Sequence, residues 1–101
     1  MPELDFASIT LETFLPVVGQ TFEAVFPDGR LPMTLLEARP VGTGDPNAPR
    51  EPFALVFKGP PGYQLPQYSY RLEHPELGEM LMFLVPIGTN GDSINLEAVF
   101  A

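Results

Sequence analysis

No cysteine occurs in this chain, and only 5 of its 101 residues are lysine or arginine. Without thiols there can be no disulfide framework and no thiolate metal site. Cysteine usage is therefore silent on the redox compartment. The basic residues Arg30, Arg39, Arg50, Lys58 and Arg71 are scattered among 13 acidic ones, for a formal net charge of -8. Nucleic-acid binding needs clustered Lys and Arg to neutralise phosphates, so it is excluded. An anionic membrane surface would repel the chain as well. Long apolar runs are also missing. No stretch reaches transmembrane length, which excludes insertion by a helix. The opening MPELDFASITLETF is acidic and has neither a basic n-region nor an apolar h-region, so it does not read as a secretory signal. The expected location is the cytoplasm. The alternative is export within a phage-like or fibre assembly without a cleaved signal peptide.

What the chain does have is punctuation. Its 13 prolines and 9 glycines fall between short apolar runs, the pattern of brief strands and turns. Its length suits one domain, 1–101, able to bury a core without staples. One segment reads as helical. Thr10, or alternatively Ser8, caps it, Leu11, Phe14 and Leu15 share a face, and Pro16 closes it. Phe6, Leu11 and Phe14 are expected to enter the core. Strands are expected over 20–26, 31–39, 53–58, 68–73, 79–86 and 94–100. Pro27-Asp28-Gly29-Arg30 reads as a hairpin turn with Asp-Gly supplying a positive φ, Pro75 and Gly78 as a second turn, and 89–92 as the last. The stretch 40–52 lacks periodicity and reads as a long loop. The expected fold is all-β, an antiparallel sandwich or partly open barrel of about six strands with one short N-terminal helix.

The stretch Tyr68–Ile87 carries the most information. Met80–Val85 is apolar on both faces, where alternation would leave one face polar. Such a strand belongs either in the middle of a small core or on a surface that a partner covers. The core reading places Leu81, Phe83 and Val99 inside, together with Phe14, Phe22, Leu35, Phe57 and Leu72. Under that reading Phe83→Ala should cost ~3–5 kcal/mol.

Catalytic chemistry finds little support. His74 is the sole histidine and lies in Glu73-His74-Pro75-Glu76, with Glu79 nearby. Imidazole and carboxylates can hold a metal or move a proton. Pro75 nevertheless rules out helical ligand spacing, and a turn role for His74 is the simpler reading, with modest cost on His74→Ala. No serine lies in a nucleophile elbow. Gly59-Pro60-Pro61-Gly62 lacks the Lys and Ser/Thr of a phosphate loop, and Asp45 and Asn47 lack the spacing of a calcium loop. The expectation is no enzyme, no catalytic residues, no cofactor and no metal. Tyr63, Tyr68 and Tyr70 cluster beside Pro60, Pro61 and Pro66, and are the candidate partner-binding residues.

Across almost its whole length the chain resembles a bacterial family of small domains of unknown function. The resemblance rests on Phe6-Ala7-Ser8-Ile9-Thr10-Leu11-Glu12-Thr13-Phe14, on Val18-Gly19-Gln20-Thr21-Phe22, on Arg50-Glu51-Pro52-Phe53 with Phe57-Lys58-Gly59-Pro60, and on the closing Glu97-Ala98-Val99-Phe100. Its most specific part is Tyr70-Arg71-Leu72-Glu73-His74-Pro75-Glu76-Leu77-Gly78-Glu79. Members are often encoded beside phage tail-collar, microcystin-dependent-like fibre proteins. The resemblance implies a non-enzymatic structural or assembly protein of a tail-fibre-like system, a subunit, cap or assembly factor. Its partner would be a tail-collar-like fibre protein or a second copy, bound through a sheet edge or the tyrosine- and proline-rich face. The alternative is a β-barrel module that binds a small ligand or carbohydrate.

Overall fold

Short strands separated by proline and glycine turns close here into a six-stranded antiparallel barrel, ordered β1-β2-β3-β6-β5-β4. The computed structural model describes residues 9–42 and 51–100. Its elements are a one-turn helix α1 (Leu11–Phe14) continued by a 3₁₀ turn (Leu15–Val17), then β1 (Thr21–Phe26), β2 (Gly29–Pro40), β3 (Phe53–Lys58), β4 (Tyr68–His74), β5 (Gly78–Asn90) and β6 (Ser93–Phe100). The expected Ser8 cap, the Phe6 core position and most of the 40–52 loop lie outside the described residues.

Closure is achieved by the two longest strands, each of which changes partner halfway. β2 pairs with β1 up to Thr34 and with β3 from Thr34 onward. β5 pairs with β4 from Gly78 to Leu84 and with β6 from Val85 to Asn90. Each carries a bulge soon after the change, at Leu36 and at Ile87. A bulge adds one residue to one strand, bends it and increases its twist, which helps a small sheet close on itself. The extra residues, Leu36 and Ile87, are exposed. Because β5 continues to Asn90, the last turn is narrower than the sequence suggests and consists of Gly91 and Asp92.

The turns follow backbone chemistry. Gly78 takes φ 89°, the left-handed position expected of it. The first hairpin differs from expectation. Phe26 pairs with Gly29, so the turn residues are Pro27 and Asp28, and Gly29 is not among the positive-φ glycines. Proline's fixed φ, rather than a left-handed Asp-Gly, shapes that turn.

The barrel interior is filled by Phe22, Met33, Leu35, Leu55, Phe57, Leu72, Met80, Met82, Leu84 and Leu96, all buried. α1 is held by Thr13 N–H donating to the Thr10 carbonyl and Thr10 N–H donating to Thr13 Oγ1, both at 3.0 Å. It presents Phe14 to Phe53 and Phe100, whose rings stack 4.7 Å apart. Leu15, expected beside Phe14, is instead exposed in the 3₁₀ turn, which also contains Pro16. Five of the eight expected core residues, Phe14, Phe22, Leu35, Phe57 and Leu72, are fully buried.

The other three are not. Leu81, Phe83 and Val99 are 54%, 52% and 60% exposed. Met80, Met82 and Leu84 point into the barrel, so the alternate residues of β5 must point out. With both faces apolar, the sequence of β5 carries no phase of its own, and its cross-strand register supplies one.

Candidate functional site

The Arg-Leu-Glu-His-Pro block forms the end of β4 and the turn into β5. Leu72 and His74 point inward from β4, and His74 is 2% exposed. Its Nδ1 accepts the backbone N–H of Glu76 at 3.1 Å and of Leu77 at 3.3 Å, which closes the β4–β5 turn. Its Nε2 then carries the hydrogen and donates to Gln20 Oε1 at 2.7 Å, tying that turn to the start of β1. The ring also lies 4.7 Å from Phe22. All the polar capacity of the imidazole is committed to the fold. On the outer face of β4, Arg71 pairs with Glu79 across the β4–β5 hairpin. Glu73 receives Arg30 Nη1 at 2.7 Å from β2, and that bond, with the charge behind it, raises the Arg30 pKa. Among the described residues, no group of three or more His, Asp or Glu side chains is placed to hold a metal ion.

The three tyrosines separate. Tyr63 and Tyr68 are exposed, Tyr63 on the loop after β3 and Tyr68 where β4 begins. Tyr70 is buried, and its hydroxyl donates to the Pro66 carbonyl at 2.6 Å. Burial, and secondarily Tyr68, pushes its pKa up. Tyr70 packs edge-on against both Phe26 and Tyr68. It therefore belongs to the barrel wall and offers no surface to a partner. Although residues two apart share a face of a strand, Tyr68 lies at the barrel's rim and Tyr70 one step inside it.

Among the described residues, concavities mark the outside at two places. One, about 430 Å³, lies beside the β1–β2 hairpin and is lined by Phe26, Asp28, Arg30, Leu31, Tyr63 and Leu65. The other, about 550 Å³, opens between β5 and β6, with Leu81, Phe83, Val85, Glu97 and Val99 on its walls and Ser69 at its margin. Here the β5–β6 ladder stops. Its last pair is Val85 with Glu97, and among the described residues no strand pairs with Gly78–Leu84 on the side away from β4. Leu81, Phe83 and Val99 thus form an apolar outer patch at a split in the barrel wall. Singly exposed apolar side chains are ordinary, but a contiguous group of them marks an interaction site. The sequence reading missed this patch by placing these residues inside. The signal was available in β4. Charged Arg71 must face out, and it stands opposite Leu81 in the hairpin register.

A family model described as "Domain of unknown function (DUF6916)" matches residues 9–100, and the chain belongs to that family. No curated protein and no solved structure matches the chain. Among the described residues no helix is long and apolar enough to cross a membrane.

Proposed function

We propose that this domain is a non-enzymatic assembly module that binds another protein chain through the outer face of β4, β5 and β6. One observation carries the reading. Leu81, Phe83 and Val99, each more than half exposed, meet on that face at an open split between strands. Toward the β4–β5 turn the outer wall is covered by charge, through Arg71 with Glu79 and Glu73 with Arg30. Half of the ~200 Å² that a phenylalanine can bury is roughly 100 Å², and Leu81 and Val99 add comparable amounts, so the patch offers roughly 250 Å² of apolar surface. A specific interface removes about 800 Å² per partner. The patch is thus the size of an interface centre, with the remainder to come from polar rim and main chain.

The resemblance to a family encoded beside fibre proteins makes a tail-collar-like fibre protein the partner to test. In that setting the domain would be a subunit, a cap or an assembly factor. The test is light scattering of wild type and Phe83→Glu, alone and mixed with the fibre protein. A complex that forms with wild type and fails with Phe83→Glu supports the reading. A complex indifferent to Phe83→Glu removes the face. No complex in any condition favours the second reading, a small-ligand or carbohydrate module. That alternative draws on the concavity at the β1–β2 hairpin, where Tyr63 and Phe26 flank Asp28.

A further inference from the structure

The split beside β5 has a shape, an exposed backbone and a charge environment that together specify its occupant. This inference rests on the proposed binding face and states how that face is used. Gly78–Leu84 is held by β4 along one edge, while its other edge has no partner strand among the described residues. β6 stays paired with β3 from Asn95 to Phe100 but leaves β5 beyond the Val85–Glu97 pair. The result is a concavity walled by strands on both sides, with the apolar side chains of Leu81, Phe83 and Val99 facing solvent beside it. An exposed strand edge pairs with an incoming strand through main-chain hydrogen bonds, and alternate side chains of that strand meet one face.

Charge selects the kind of strand. The domain carries a formal net charge of -8. Arg30, Arg39 and Arg71 are all engaged with carboxylates of this chain, namely Glu73 and Glu23, Glu97 and Glu37, and Glu79. A second copy would therefore bring like charge and no free arginine from these positions. A basic segment meets a complementary field, which raises its association rate at low salt. We infer that the open edge of β5 at Gly78–Leu84 accepts an added β-strand from a different protein, an extended apolar segment flanked at its ends by lysine or arginine. Alternate residues of that strand lie beside Leu81 and Phe83 on the outer face and beside Met80 and Met82 on the inner one, so both sets are apolar, and the flanking basic residues stay in solvent in the field of the acidic domain.

The probe is a capped peptide of valine and threonine, about seven residues long to match the open edge, with a pair of lysines at each end. Its binding to the intact domain is followed by calorimetry, and backbone amide exchange is followed by NMR. The expected result is binding with at least tenfold slower exchange at amides within Gly78–Leu84, lost in Phe83→Glu. Methylating alternate backbone nitrogens on the peptide's pairing edge should weaken binding at least tenfold, as should replacing its lysines by glutamate. No binding of this lysine-flanked peptide overturns the inference, as does binding with unchanged exchange in β5 or indifference to backbone methylation. In those cases a fibre-protein complex still sensitive to Phe83→Glu leaves the binding face standing without strand addition. Equal binding of the glutamate peptide, or salt-strengthened self-association through Phe83, overturns the basic partner.

Discussion

At the scale of single residues, His74 and Tyr70 show how a chemically suggestive side chain is absorbed by a fold. His74 satisfies two backbone N–H groups and Gln20, so His74→Ala removes three hydrogen bonds, although Gln20 and Glu76 are exposed and Leu77 is half-buried. A hydrogen bond contributes about 0.5–1.5 kcal/mol net, and the ring is itself buried against Phe22, so its removal also costs packing. His74→Ala should therefore cost about 2–4 kcal/mol in urea melts, more than the modest effect that a turn role alone suggests. A loss below about 1 kcal/mol would mean the imidazole is replaceable. Tyr70 carries a pH dependence. Its phenol is harder to ionise in the folded chain than in the unfolded one, so the folded state holds that proton more tightly. Its contribution is complete below the ordinary tyrosine value of about 10 and is lost as pH rises through the higher folded value. Urea melts at about pH 8 and about pH 11 should show wild type losing more stability than Tyr70→Phe, which has no proton to lose. An equal loss in both would place the alkaline sensitivity elsewhere.

At the scale of the element, β5 is a strand with two apolar faces and two employments. Met80, Met82 and Leu84 fill the barrel, while Leu81 and Phe83 cover its outside. Met82→Ala should cost about 2–5 kcal/mol, the range for a buried large-to-small change. Phe83→Ala should cost under about 1 kcal/mol, as surface substitutions do, yet weaken partner binding. Denaturant melts of the two variants separate the faces. Equal, large losses would put Phe83 inside after all. This strand also marks the boundary of what could be read from sequence. The strands over Phe22, Leu35, Phe57 and Leu72, and the helix bearing Phe14, were legible because apolar and polar residues alternate or because turns bracket them. β5 lacked that contrast. Its phase follows from pairing Gly78 with His74, which sets Arg71 opposite Leu81, and only a cross-strand argument reaches it. Tyr70 was misassigned for a related reason. Strand position gives a face, but whether that face is rim or interior depends on how far the barrel extends.

At the scale of the molecule, the all-β class, the strand order along the chain and the single short helix were all legible in the proline and glycine spacing. Closure was less so. It depends on β2 and β5 each serving two partners and bulging at Leu36 and Ile87, and bulges have no sequence signature strong enough to place in advance. The same device that closes the barrel leaves it split beside Gly78–Leu84, because β5 cannot follow β4 and β6 along its full length. The net charge of -8 then acts on the whole molecule. Association with a basic partner should weaken as salt rises, since screening shortens the reach of the field to about 8 Å at physiological ionic strength. The central claim is that the face of Leu81, Phe83 and Val99 is a binding surface, and light scattering on the domain mixed with a tail-collar-like fibre protein tests it most directly. The account predicts a complex with wild type, weakened by salt and abolished by Phe83→Glu with the fold intact. A complex that Phe83→Glu leaves unchanged, or none under any condition, would contradict it.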